Sequence, residues 1–305
     1  MSPSASAHTW FPPRLTVDDD RFVVHGQYYF VLLRYVTGAG HGRPYLATLC
    51  GPSGRNMVED SPVDHLHHHG VWWGHGDVNG VDLYLELPGG DGPVEKGTVT
   101  HNGWADIVDD RDGDPPRFGF DEAVAWRDQH GEALLDERRS LLVHYVGDDR
   151  YTVDLDSTYV AARDLVFGAT KESVLPGIRI AEALTGLVGG TITSSTGAVG
   201  EEATMGQAAE WIDVSGPRRL AYFGTELIEG IACFDHPGNP GHPQRFFTRA
   251  YGPISPFPGH HFHDDRALAA GATLRLRHRL VVHRGDPAEA GVADLYREYA
   301  EEAKP

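Results

Sequence analysis

Apolar and polar positions alternate with a period of two along much of this chain. Tyr151, Val153, Leu155 and Tyr159 share one side of a predicted strand, with Thr152, Asp154, Asp156 and Thr158 on the other, as a half-solvated antiparallel strand requires. Thr273 to Val281 repeats the device, with Leu274, Leu276 and Leu280 inward and Arg275, Arg277 and Arg279 outward. Arg21 to Tyr35 carries two apolar runs, FVV and YYFVLL, broken at His25-Gly26; this predicts two strands or one long bulged strand. Glycine and proline fall between most of these runs and mark tight turns. A helical period appears only at the end, where Asp286 can cap, Pro287 suits the first helical position, Glu289 completes a capping box, and Val292, Leu295, Tyr296 and Tyr299 form an apolar stripe. The expected fold is all-β: a large antiparallel β-sandwich with a C-terminal helix docked on a sheet, forming one domain over residues 1–305. The acidic stretch VDDRDGDPPR at 108–117 reads as a solvated loop and as the best candidate for a mobile insertion.

Charge narrows the choice of partner. Forty-four acidic against twenty-six basic side chains leave a formal net charge of −18, so a nucleic-acid backbone or an anionic membrane surface is repelled over most of the protein. A small-molecule carbohydrate fits better. The opening MSPSASAHTWFPPRL lacks a basic segment followed by an apolar one, and no run of eighteen apolar residues occurs; a cytoplasmic protein is expected. Cys50 and Cys233, the two cysteines, read as buried reduced thiols. A homodimer is the base-rate expectation.

The densest chemistry lies between Asp64 and Asp82. DHLHHHGVWWGHGDVNGVD packs five histidines, three aspartates, an asparagine and two tryptophans into nineteen residues. Imidazoles bind metals or move protons near neutral pH, and indole faces stack on sugars. On a strand, His65, His67 and His69 would share one face with His68 on the other; in a turn ending at Gly70 that parity fails. His75-Gly76-Asp77 has the spacing of a facial-triad iron site whose third ligand is a distant histidine, although His263-Asp264-Asp265 repeats the triplet and weakens the signal. Trp72 and Trp73 adjoin, so in a strand one packs into the core and the other can floor a pocket; Trp73 is assigned to substrate.

A second constellation follows the apolar run IACF: Asp235, His236, Asn239, His242, Arg249 and Tyr251. Asp235 beside His236 reads either as an orienting carboxylate with its proton carrier or as a polar turn. Arg249 reads either as a clamp for hydroxyls or carboxylate, or as one half of a structural ion pair. Between the two constellations, Glu201, Glu202 and Glu210 supply candidate acids, with Glu210 placed in the catalytic set.

Several strings carry a resemblance: RPYLATL at 43–49, DHLHHHGVWWGHGDVNGVDLY at 64–84, AAEWIDVSG at 208–216, FDHPGNPGHPQRFFTRAYG at 234–252, and the C-terminal RLVVHRGDPAEAGVADLYREYA. Together they resemble a bacterial family known as PmoA-like, or "methane oxygenase PmoA". That name belongs to a membrane subunit of a copper methane monooxygenase with several transmembrane helices. This chain has no such span, so methane chemistry is not expected. The resemblance implies a large β-sandwich of sugar metabolism, similar in look to the galactose-mutarotase-like supersandwich. His67, His68, His75, Asp77, Asn79, Asp235, His236, Asn239, Arg249 and Tyr251 fall on its recurring motif positions, whereas His69 stands where a different, often basic, residue is expected.

The leading expectation is therefore an enzyme acting on a sugar or an oxidised (keto) glycoside as lyase, hydratase, epimerase or hydrolase. His67, His68, His75, Asp77, His236 and Glu210 are its acid-base candidates. Trp73, Asn79, Asp235, Asn239, Arg249 and Tyr251 are its substrate-binding candidates. Proton transfer by these side chains without a cofactor is one reading, and a divalent metal ion held among His67, His68, His75 and Asp77 is the alternative. A non-haem iron oxygenase using His75, Asp77 and either His236 or His261, and a non-catalytic carbohydrate-binding protein, are the competing classes. The sugar-enzyme expectation requires both constellations to meet around one cavity.

Overall fold

The computed structural model describes residues 12–26, 29–38, 42–86, 95–219, 225–257 and 264–302. His261 and His263 lie outside them. Twenty strands follow in chain order: β1 (Arg14–Val17), β2 (Arg21–His25), β3 (Val31–Val36), β4 (Tyr45–Leu49), β5 (Val71–His75), β6 (Val81–Asp82) and β7 (Glu95–Lys96). Next come β8 (Thr98–Asp110), β9 (Arg117–Arg127), β10 (Ala133–Gly147), β11 (Arg150–Ala161), β12 (Leu165–Phe167), β13 (Ser173–Arg179) and β14 (Thr191–Ser194). The last are β15 (Trp211–Arg219), β16 (Glu226–Asp235), β17 (Arg245–Thr248), β18 (Pro253–Phe257), β19 (Arg266–Leu268) and β20 (Thr273–Arg284).

Two eight-stranded antiparallel sheets make the sandwich. The first runs β1-β2-β3-β4-β5-β13-β18-β17 and the second β14-β15-β16-β20-β11-β10-β9-β8. The alternating patterns at 151–159 and 273–281 become the paired central strands β11 and β20, in register from Arg150 opposite His283 to Val160 opposite Thr273. The two runs at 21–35 are separate strands, β2 and β3, and not one bulged strand.

The expected loop at 108–117 is the tip of the β8-β9 hairpin. Asp109 and Asp110 belong to β8, and Arg117 opens β9 with its guanidinium 2.7 Å from Asp110. Cross-strand pairing carries the acidic residues there that composition alone assigns to a loop. The capping box at 286–289 also forms, since Asp286 Oδ1 accepts the backbone N–H groups of Ala288 and Glu289, and Glu289 accepts that of Asp286. It closes a turn, however, and the helix proper starts three residues later, at Val292, and runs to Glu302. Gly291, at φ 69°, sits between them, a conformation that costs glycine little and interrupts the helical run. Val292, Tyr296 and Tyr299 then pack on Ala232, Phe234 and Val281 of the second sheet. Both cysteines are free, with Cys233 buried.

The inter-sheet core is largely apolar, with buried ionic groups at Glu229, which takes Ser53 and Arg218, and at Arg139. Arg139 is fully enclosed, forms two hydrogen bonds of 2.8 and 2.9 Å with Glu137, and lies beside Glu122 and Tyr35. Its guanidinium carbon stands 3.9 Å from the centroid of the Trp73 ring, so pairing and a cation–π contact together offset the cost of burying its charge. This contact fixes Trp73 inward. By strand alternation Trp72 must then face the outer side of the first sheet, where it packs with Tyr45, Ala47, Tyr84 and Val174.

Candidate functional site

The outer face of the first sheet is roofed by two segments. One is the loop 60–69, which is not a strand but a succession of tight turns: the His65 N–H donates to Pro62, the His68 N–H to His65, and the Ser61 N–H to His68. The strand parity proposed for its histidines therefore does not apply. His65, His67 and His68 converge on one side, while His69 turns away. The other segment is 83–86, locked by Arg43, which donates to the carbonyls of Trp73, Leu83 and Tyr84 and pairs with Glu86. Asp82 accepts the N–H groups of Tyr84 and Leu85, so this aspartate shapes a turn.

Between these segments and the β17-β18 hairpin lies a pocket of about 270 Å³ whose lining includes His65, His67, His68, Trp72, Tyr84 and Glu172 from the earlier parts of the chain, and Arg249 and Tyr251 from the late constellation. Imidazoles of the first quarter and polar groups of the final third thus share a cavity, although only part of each constellation does so. Rings dominate the wall. Tyr251 stacks on His65 (centroids 5.3 Å apart), His65 on His68 (4.5 Å) and His68 on Trp72 (5.0 Å), forming a column of four. His67 stands edge-on to His65, His68 and Tyr84.

The hydrogen bonds assign the tautomer of His68. Arg179 on β13 holds Asp64 at 2.8 and 2.9 Å through Nη2 and approaches His68 Nδ1 at 3.2 Å through Nη1. A guanidinium only donates, so Nδ1 accepts and the ring proton resides on Nε2. That Nε2–H then donates to Tyr84 Oη, 3.0 Å away. Tyr84 keeps its own proton available to donate, and burial raises its pKa well above the ordinary tyrosine value. Burial first, then the neighbouring His67 and His65, pushes His68 down to about 2. Burial, with His65 and Arg43 adding to it, pushes His67 down to about 4. Both imidazoles are neutral near pH 7. His67 makes only ring contacts among the described residues, so its nitrogens are not committed to a protein partner.

On the other side of the loop, His69 is buried with Nδ1 2.7 Å from Asp60 and Nε2 3.1 Å from Glu86, its ring stacked on Tyr45. Burial lowers its pKa, but the two carboxylates outweigh that and the net shift is upward. The histidine that the resemblance marks as out of pattern is the one that ties the two roof segments together.

A family model described as a family of unknown function (DUF6807) matches residues 26–297. The chain belongs to that family. None of the comparisons supports the methane-oxygenase label of the family that the sequence strings resemble. Among curated proteins, none matches. Two solved structures are similar to this DUF6807 chain. An alpha-galactosidase from Lactobacillus brevis is 10% identical with a TM-score of 0.38, over 88% of this chain and 39% of that one. A GalM/aldose epimerase homologue from C. elegans is 8% identical with a TM-score of 0.33, over 90% and 98% respectively. The DUF6807 chain thus spans well under half of the alpha-galactosidase.

The remaining predicted residues lie elsewhere. Trp73, assigned to substrate, is in the core. His75 shares its parity and packs edge-on against Phe167, with Nδ1 accepting the Asp77 N–H. Asp77 in turn caps Gly80, and Asn79 clips the chain to Asp164 and Val166. The metal set His67, His68, His75 and Asp77 is thereby divided between the pocket and the far side of β5, and among the described residues no three His, Cys, Asp or Glu side chains are grouped to hold a metal ion. His236 lies against Tyr299 beneath the C-terminal helix, away from His75 and Asp77, so the oxygenase triad built on it does not assemble. Asp235 does orient a histidine, but the partner is His242, 2.7 Å away, and not the adjacent His236; Asn239 and the Gln244 N–H fill its remaining acceptor positions. Glu210 is exposed and outside the pocket, whereas Glu201 pairs with Arg249 at 2.8 Å. Sequence reasoning missed Tyr84, Glu172 and Arg179. Only Tyr84 carried any signal, as the last residue of the histidine-rich string.

Proposed function

We propose that this protein is a carbohydrate-active enzyme whose pocket moves a proton on a small, oxygen-rich substrate, a sugar or its oxidised derivative. The observation that supports this most is the pairing of an uncommitted neutral imidazole, His67, with a phenol, Tyr84, whose oxygen already receives the His68 Nε2–H. His67 accepts a proton from carbon next to a carbonyl. Tyr84 donates its hydroxyl proton in a hydrogen bond to that carbonyl oxygen, and the His68 hydrogen bond behind it stabilises negative charge as it develops. Charge developing on the substrate beside His67 raises its proton affinity at the step where this is needed.

The edges of the stacked rings Tyr251, His65, His68 and Trp72 make an aromatic wall for C–H groups of a sugar ring, and Arg249 and Glu172 line the same pocket, where hydroxyls can be read. Return of the proton to the opposite face gives epimerisation, and loss of a group from the next carbon gives elimination. Both outcomes use only side chains that line the pocket or brace it.

Side-chain NMR of histidine-labelled protein titrated with free sugars, glycosides and their keto derivatives tests the reading. Perturbation confined to His65, His67 and His68 is expected. Saturable binding that leaves these three unchanged would overturn it.

A further inference from the structure

Within the second constellation, His236, Gly238 and Asn239 converge on one arginine. Asn239 grips the backbone of Arg277 at both groups: its Oδ1 accepts the Arg277 N–H at 2.8 Å and its Nδ2 donates to the Arg277 carbonyl at 2.6 Å. The His236 N–H reaches the same carbonyl at 3.3 Å. Gly238 lies flat against the guanidinium, so close that a Cβ there would overlap Nη2. His236 stands alongside, and its Nδ1 accepts the Gly238 N–H at 2.9 Å, which leaves its proton on Nε2 as a second donor.

No carboxylate among the described residues pairs directly with Arg277, although Asp156 stands near it. Strand register places Arg277 opposite Asp156 and its neighbour Arg279 opposite Asp154. Asp156 leans diagonally instead and takes Arg275 through hydrogen bonds at 2.9 and 2.5 Å, while Asp154 and Glu302 take Arg279. Among the described residues no carboxylate lies within ion-pair distance of Arg277, in a chain with a net charge of −18. Arg277 and His236 both line a cavity of about 300 Å³ at the outer face of the second sheet, bounded by Tyr299; the carboxylates Asp154, Asp156 and Glu302 line it too, each already paired with Arg275 or Arg279. A half-buried guanidinium positioned this closely and left unpaired has its donors set for two oxygens of one ligand.

We propose that Arg277 and His236 form a binding site for a small oxyanion, a phosphate or a carboxylate, separate from the histidine pocket on the first sheet. The guanidinium engages two of its oxygens and His236 Nε2–H one.

The full chain titrated with sodium phosphate, sodium acetate and sodium chloride at fixed ionic strength, read by the backbone amide resonances of Gly238, Asn239 and Arg277, tests this. Saturable shifts are expected with phosphate or acetate, and whichever binds more tightly identifies the source. Chloride should give none. Arg277→Met should weaken binding about tenfold or more, and Gly238→Ala, which keeps the charge but displaces the guanidinium, should weaken it as well. His67→Gln should leave it unchanged. Equal response to chloride, or affinity unaltered in both Arg277→Met and Gly238→Ala, would mean an adventitious ion only and overturn the proposal. Should Arg277→Met fold poorly, Gly238→Ala alone decides.

Discussion

His69 Nε2 lies 3.1 Å from Glu86 Oε2, joining the loop that carries the pocket histidines to the segment that carries Tyr84. Asp60 holds the other ring nitrogen, and an imidazole can donate from both nitrogens only when protonated. The folded pKa of His69 is raised above 6.5, so its stabilisation is fully present below that value and is lost as pH rises through the folded pKa. His69→Gln breaks a buried charged pair and should cost about 3 kcal/mol. In denaturant melts, the gap between wild type and variant should be largest at acid to neutral pH and should close in alkali.

The neutral buried histidines act in the opposite direction. His68 is pushed down to about 2 and His278, also chiefly by burial, to about 3. Unfolded chains take up protons at these sites below about pH 6.5 and the native fold does not, so stability falls as pH drops from there. Each fully buried site contributes up to about 1.4 kcal/mol per pH unit. Replacing His278 with glutamine should make the acid limb of a stability-versus-pH curve shallower, and an unchanged slope would contradict the burial argument.

Tyr84→Phe keeps the ring and removes the acceptor of the His68 Nε2–H. The orphaned donor should cost about 1–3 kcal/mol of stability. Under the proposed function turnover should fall about a hundredfold or more, because the phenol would also donate to the substrate oxygen. Steady-state rates set against thermal melts separate the two effects; a rate loss no larger than the loss of folded protein would remove Tyr84 from the chemistry.

Trp72 and Trp73 divide into pocket and core. Trp73→Ala should destabilise by about 3–5 kcal/mol, because it empties an inter-sheet site and strips Arg139 of its ring. Trp72 is buried too, so Trp72→Phe should cost about 1–2 kcal/mol, less than Trp73→Ala, and should weaken sugar binding, measured by calorimetry.

The strands are legible in the sequence because period-two patterns such as 151–159 and 273–281 report burial directly, and the C-terminal stripe does the same for the helix. The pocket is only partly legible. Adjacent tryptophans declare opposite faces, but nothing local says which face a loop will roof, so the sequence alone does not say that Trp72, and not Trp73, lines the pocket. His75 is misplaced for the same reason of parity. Arg179 sits in the apolar run SVLPGIR without a motif around it, and its role appears only once Asp64 and His68 are brought to it through space. The DHPGN string is legible as special, but its purpose is not, because Arg277 lies some forty residues further along the chain.

The most direct measurement of the central claim is solvent deuterium exchange. The protein, incubated in heavy water with free sugars, glycosides and their keto and acid derivatives, is followed by loss of a substrate C–H signal in proton NMR. Wild type should exchange one position in at least one substrate. His67→Gln should slow this by about a hundredfold or more, while His236→Gln, on the other sheet, should not. Exchange that persists in His67→Gln and disappears in His236→Gln would place the chemistry outside the histidine pocket and contradict the proposed function.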